Sequence, residues 1–292
     1  MVPDNQPRQP SVSDLNANSS SPAQMLLAEG RFEEALSAAK KALEQARAGS
    51  RPDVVCQALL DLGDVRRAEG DAAKAEACYR EGLEEPAGGA VLSTLKMQLA
   101  TLLDFDGREA EAVTFYEEAI SGFESLSPQD ELLLSQLRNN LAMIYKGLGR
   151  FAKAESLCVQ ALNTLEQRLG HDTEEVASLY NNLGSIYYTA GFSEEARKMF
   201  ADALAIREKL LPSDHPDLAQ SLGNLATACH ELGDDSSSTR HFERALDILK
   251  NHLATKPDSY EAAAADYAAL LEALGKEDEA QAVRDESRRL LG

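Results

Sequence analysis

The side chains able to do covalent or metal chemistry are sparse and poorly grouped in this chain. His230, His241 and His252 recur at intervals of eleven residues, which can put two imidazoles on one helical face, but no third ligand accompanies them to close a metal shell. Asp104-Phe105-Asp106-Gly107 has the opening of a calcium loop. It lacks the later bidentate glutamate, and it reads as a turn. Cys56, Cys78, Cys158 and Cys229 show no CxxC spacing, so thiolate metal sites and disulfides are not expected. No GxxxxGK, HExxH or GxSxG motif occurs, and no GxGxxG follows a strand pattern; phosphate cradles, zinc-peptidase helices and serine nucleophile elbows are therefore not expected. The expectation is a protein that is not an enzyme and carries no cofactor or metal. Amide side chains do recur. Gln136, Asn139 and Asn181 each offer a donor and an acceptor, and a ladder of such groups can hold the backbone of an extended peptide without demanding one side-chain sequence.

What must position that ladder is written in the glycines. Gly30, Gly70, Gly107, Gly149, Gly191, Gly233 and Gly275 divide the chain, and the last five are each 42 residues apart. Five residues after each comes Ala35, Ala75, Ala112, Ala154, Ala196, Ser238 or Ala280, and twelve after it Ala42, Gly82, Ala119, Ala161, Ala203, Ala245 or Ser287. Both columns are small in every copy. Eight before the glycine stand Leu62, Leu99, Leu141, Leu183, Leu225 and Tyr267, and four before it Leu26, Leu103, Tyr145, Tyr187 and Leu271. The pattern predicts a first helix whose apolar stripe ends at a glycine in the left-handed cap, then a second helix whose small residues let the two backbones approach. Cys158 and Cys229 fall in columns held elsewhere by Phe or Tyr and read as core.

Positions 13, 10, 6 and 3 before each glycine share one side of the first helix. In three successive repeats they give Gln136, Asn139, Met143 and Lys146; Ser178, Asn181, Ser185 and Tyr188; and Gln220, Gly223, Thr227 and His230. This polar, almost uncharged stripe is the candidate peptide-binding groove, with Met143 and Tyr188 adding apolar contact. Earlier copies place Asp64, Arg67 and Asp104 in the stripe and the last places Glu272.

The combination of large apolar residues in a first helix, a turn glycine and small residues in a second resembles the tetratricopeptide repeat over about residues 22–290. That resemblance implies an all-α, right-handed solenoid of about seven helix pairs, the first truncated and the last a cap. The ordinary repeat has about 34 residues, so a period of 42 adds about eight, roughly two helical turns. Within this class, Asn181-Asn182-Leu183-Gly184, its counterpart Asn139-Asn140-Leu141-Ala142, and the run Ala203-Leu204-Ala205-Ile206-Arg207-Glu208-Lys209 leading into Asp214-His215-Pro216-Asp217 resemble the kinesin light chain version. The junction Gly170-His171-Asp172-Thr173-Glu174-Glu175-Val176 is a weaker copy. Asp214 or His215 can cap a helix that Pro216 opens. Kinesin light chains carry heptads ahead of their repeats, whereas residues 1–21 are rich in Pro, Ser and Asn without heptads; the resemblance therefore points to the short bacterial members of the group, some of which accompany bacterial tubulins. It implies an adaptor that takes a protein or peptide segment in its concave groove. Two other readings stand beside it: a regulatory repeat protein that senses a peptide, and a co-chaperone for acidic tails, which the scarcity of groove lysines and arginines disfavours.

Composition bounds the rest. The 292 residues divide into a tail, 1–21, expected to be disordered, and a continuous solenoid, 22–292. With 43% apolar residues and no tryptophan, the chain has no run long enough to span a membrane. It has no apolar N-terminal signal segment either, and a cytoplasmic location is the expectation. A net charge of −20 argues against nucleic acid as partner, since such binding needs a basic footprint. One local exception exists. Lys40, Lys41, Arg47 and Arg51 form a basic patch opposed by Glu44, able to meet an acidic filament or an anionic membrane surface peripherally.

Overall fold

The computed structural model describes residues 21–49, 51–126 and 129–292. The tail expected to be disordered lies outside the described residues except for Ser21. Among the described residues there are fourteen helices and no strand: α1 (Pro22–Ala28), α2 (Phe32–Ala48), α3 (Pro52–Ala68), α4 (Ala72–Glu84), α5 (Ala90–Phe105), α6 (Glu109–Glu124), α7 (Glu131–Gly147), α8 (Phe151–Leu169), α9 (Glu174–Thr189), α10 (Ser193–Leu210), α11 (Pro216–Glu231), α12 (Asp235–Lys250), α13 (Pro257–Ala273) and α14 (Glu277–Leu291). The chain forms two compact units, Met1–Ile144 and Tyr145–Gly292, and each is built from helix hairpins packed in chain order.

The turn glycines do what the periodicity predicts. All seven have φ between +69° and +83°. At Gly191 the amide donates to Tyr188 O at 3.0 Å and the next amide, of Phe192, donates to Tyr187 O at 2.9 Å. This is the paired bond of a Schellman cap, which closes one helix and aims the chain into the next. Helix starts are also local in origin. Ser21 Oγ accepts from Gln24 N at 3.2 Å ahead of the short α1. His215 is the N-cap of α11, its Nδ1 accepting from Asp217 N at 3.3 Å, with Pro216 in the first turn.

Both small columns face their partner helices: Ala35, Ala75, Ala112, Ala154, Ala196, Ser238 and Ala280 are fully buried, as are Ala119, Ala161, Ala203 and Ala245. Leu at Ala196 or Ala203 would overpack that contact, so each substitution is expected to cost about 1–3 kcal/mol, read as a fall in the urea midpoint of the full chain. A neutral result at both sites would mean that the hairpins do not close on these positions.

A complementary device works from the other helix. Gly63 in α3 and Gly184 in α9 lie under aromatic rings of the following helices. A Cβ at Gly63 would sit 2.3 Å from Tyr79 Cε1, and one at Gly184 would sit 2.6 Å from Phe200 Cδ1. The equivalent positions elsewhere are alanines, Ala23, Ala100, Ala142, Ala226 and Ala268, all buried. The surplus over the ordinary repeat is spent on helix length, with α8 at 19 residues and α10 at 18. Cys56, Cys158 and Cys229 are buried and unbridged, and burial pushes the Cys158 thiol up to about 12, which leaves it a small core residue.

Candidate functional site

In the first unit the groove positions of α7 place Gln136 in the open and leave Asn139 and Met143 half-buried. The acidic end of the predicted stripe is more enclosed. Asp61 is buried and accepts from Gln24 Nε2 at 2.9 Å and Gln57 Nε2 at 3.0 Å, fixing α1 to α3. One turn further on, Asp64 accepts from the Tyr79 hydroxyl at 2.8 Å. Burial raises its pKa to about 6. The neighbouring Tyr116 hydroxyl meets Thr101 Oγ1 at 3.1 Å, so in both hairpins a second-helix tyrosine reaches through to the groove face. Leu60, ten residues before Gly70 and so in the stripe by its spacing, is core instead.

The second unit carries the rest. Lys146 Nζ donates to Ser185 Oγ at 2.9 Å, and burial holds the ammonium below its ordinary pKa. The Tyr188 hydroxyl donates to Glu231 Oε1 at 3.4 Å. Its pKa is raised first by burial and then by the charges of Glu231 and Asp266, so these side chains from α9, α11 and α13 act on one another. Thr227 Oγ1 donates to Gly223 O at 3.0 Å, Gln220 is exposed, and His230 Nδ1 lies 2.7 Å from Asp235 Oδ1. Of the evenly spaced histidines, His230 and His252 are engaged separately, His252 Nε2 lying 2.8 Å from Asp214 O, and among the described residues no three metal-ligating side chains converge.

Two placements differ from the expected stripe. Asn181 is only 9% exposed, and its Oδ1 accepts from Asn224 Nδ2 at 2.7 Å. It braces α11 rather than standing open. Asn224, one residue past the offset used to pick the stripe, therefore takes the groove position that Gly223 vacates. Ser178 is drawn inward as well. Its hydroxyl accepts from Arg207 Nη2 at 3.2 Å, and Arg207 is 4% exposed, a buried cation that composition alone gave no reason to expect. Its signal was positional, because the equivalent residues in the flanking repeats are Leu165 and Leu249.

Between α11 and α13 the groove deepens into a cleft of about 350 Å³. Its floor is Phe242 and Leu249 of α12, and small residues, Ala219, Gly223, Ala262 and Ala263, keep its walls apart. On the first unit's α2, the exposed Lys40, Lys41 and Arg47 rim a shallow depression with Ser37, Leu43 and Glu44. Arg47 is paired with Glu81 of α4, which leaves the two lysines and the exposed Arg51 as the open part of that patch.

Against known proteins, the tetratricopeptide-repeat model matches residues 20–84, 133–209 and 175–251. The crystal structure of BtubC (BKLC) from P. vanneervenii is 32% identical, with 76% of this chain and 92% of that one covered and a TM-score of 0.63. A Podosopora anserina protein described as a kinesin light chain with nearly identical TPR-like repeats is 23% identical, covering 67% and 92% at a TM-score of 0.57. A Rap protein complexed with Competence and Sporulation Factor is similar at 14% identity, covering 92% and 77% at a TM-score of 0.61; the last two likenesses concern the fold alone. No curated protein matches the sequence.

Proposed function

This chain belongs to the tetratricopeptide-repeat family, and from that premise we propose that it is a non-enzymatic adaptor of kinesin light chain type, holding a protein or peptide segment in its groove and linking tubulin-like filaments to other proteins or to a membrane. The observation that carries the reading is the likeness to BtubC at 32% identity over most of both chains. The amide-bearing helix α11 of the second unit supports the peptide half of it. Gln220 and Asn224 supply amides along this helix, and an amide can bond a main chain whatever its side chains. No described helix is long and apolar enough to cross a membrane, so a membrane contact would be peripheral, and we place the adaptor in the cytoplasm.

The −20 net charge must be kept from an acidic filament or lipid surface. Contact is then left to the nearly neutral groove or to Lys40, Lys41 and Arg51. Co-sedimentation with polymerised bacterial tubulin, and separately with anionic liposomes, tells them apart across a salt series. Patch binding falls steeply as the Debye length shrinks from about 10 Å at 0.1 M to about 3 Å at 1 M, and it disappears in a Lys40→Glu, Lys41→Glu variant. Groove binding survives both. The expected result is pelleting with filaments at 0.1 M salt; absence of pelleting with filaments and liposomes alike would end the adaptor reading.

A further inference from the structure

Donors and acceptors are strongly unbalanced at one end of the cleft between α11 and α13. Asn224 spends one N–H of its amide on Asn181 Oδ1 at 2.7 Å, and its own carbonyl oxygen receives no donor among the described residues. Thr227 spends its hydroxyl proton on Gly223 O at 3.0 Å, leaving lone pairs only. Asp266, which lines the same cleft, has no hydrogen bond or ion pair among the described residues. It stands nine residues before its turn glycine, as Asn224 does, so the two side chains lie at one level of neighbouring first helices. Tyr188, bonded to Glu231, feels the charge of both Glu231 and Asp266.

Three acceptors against one remaining amide N–H, that of Asn224, make a site that a donor-rich group completes. The rest of the cleft states what should carry that group. Phe242 and Leu249 form an apolar floor between alanine and glycine walls, and a Cβ at Gly223 would meet nothing within 4 Å. A long aliphatic stem fits such a slot while its charged tip reaches the rim. Lys256, the cation among the lining residues, belongs to the other end. It lies ten positions before Asp266, about 15 Å along the helix axis, near the level of Asp217, and does not neutralise the acceptor cluster.

We propose that the α11–α13 cleft is a subsite for a lysine side chain of an extended peptide, with the ammonium received by Asp266, Asn224 Oδ1 and Thr227 and the aliphatic stem lying over Phe242 and Leu249. The inference rests on the groove reading above and adds a partner chemistry to it: the segment bound in the second unit is cationic at this position. The net charge of −20 favours the same partners at long range.

End-blocked, fluorescein-labelled nonapeptide pools test this on the full chain by anisotropy at 0.1 M salt. Lys, norleucine or Glu is fixed at the centre and Ala, Ser, Leu, Asn and Gln are mixed elsewhere. Norleucine keeps the stem and removes the ammonium. A charge-assisted hydrogen-bond set implies that the Lys pool binds at least about tenfold tighter than the norleucine pool, with the Glu pool weakest. Asp266→Asn should bring the Lys pool to the norleucine level, whereas Asp202→Asn, the same charge change on the exposed surface of α10, should leave the preference intact. Equal binding of the Lys and norleucine pools, equal losses in the two variants, or no binding by any pool would overturn the subsite. Filament pelleting that persists while the Lys preference is absent would remove this subsite alone and leave the adaptor reading standing.

Discussion

Replacing Arg207 by alanine is expected to lower the stability of the protein by about 3 kcal/mol, because a buried cation that loses its partners, or partners that lose their cation, forfeit several bonds at once. The guanidinium joins three helices. Its Nη2 lies 2.7 Å from Glu174 Oε1 and its Nε 2.9 Å from the same oxygen. Its Nη1 donates to Ser221 Oγ at 2.8 Å and toward Asp217 O at 3.4 Å. Glu174 and Ser178 are on α9, and Ser221 and Asp217 on α11, so the arginine of α10 fixes the spacing of two groove helices. Glu174 is 41% exposed at its side chain and can turn to water, which keeps the expected loss toward the lower end for a broken buried pair. Arg207→Leu should cost less, about 1 kcal/mol, since Leu165 and Leu249 fill the same column apolarly in the flanking repeats and a hydrophobic replacement often matches a buried ion pair. Urea midpoints with hydrogen exchange of α9 to α11 would measure both; an alanine variant as stable as the parent would mean the clamp carries no energy.

The second large effect concerns Asp64 and has a definite sign. Burial raises its folded-state pKa to about 6, against about 3.9 for an unperturbed carboxyl. A raised acid binds its proton more tightly when folded, so folding gains stability as the pH falls through 6 toward 4 and loses it as the pH rises through 6. Two pKa units correspond to about 2–3 kcal/mol. Asp64→Asn keeps the oxygen that accepts from Tyr79 at 2.8 Å and cannot ionise. The variant is therefore expected to be more stable than the parent at pH 7 by up to that amount, with the advantage shrinking to nothing near pH 4. Thermal midpoints of the two proteins at pH 7, 6, 5 and 4 give the comparison, in which other titrating groups cancel. An advantage independent of pH would show that Asp64 is not the titrating group. Asp64→Leu should behave differently, because it leaves the Tyr79 hydroxyl, buried in the hairpin, without its acceptor.

How much of this was legible follows from what a column of residues can and cannot say. The hairpins were, because a cap that needs positive φ selects glycine and a close helix contact selects alanine, and both demands repeat at fixed offsets through Gly107, Gly149, Gly191, Gly233 and Gly275. The groove was legible as a face but not as a set of free hands. Asn181 and Asn224 differ by one helical position, about 100° of rotation, and side-chain pairing between neighbouring repeats decides which of them braces and which faces out. Nothing local in either sequence encodes that bond. Arg207 was similarly hidden: Ile206-Arg207-Glu208-Lys209 looks like an exposed charged end of a helix until the leucines at the same position in other repeats show the site to be core. The cleft depends on Gly223, Ala262 and Phe242 together, residues drawn from three helices, and only their packing reveals it.

The glycines beneath the aromatic rings bear on how such a chain can recombine. Gly184 accepts Phe200 and Gly63 accepts Tyr79 across a turn, with no room for even one extra carbon. A gene fusion that crosses over at a turn glycine would pair one parent's first helix with another's second, and where that sets an alanine under Phe200 or Tyr79 the ring must shift, as Tyr116 and Phe242 already stand opposite Ala100 and Ala226. A crossover in the linker before the next first helix, such as the stretch ahead of Pro216, carries ring and glycine together. The inheritable module of this protein thus begins at a first helix and ends after the second, and shuffled arrays cut in that frame keep their helices matched, while arrays cut at the glycines, the more obvious seam in the sequence, inherit the mismatch.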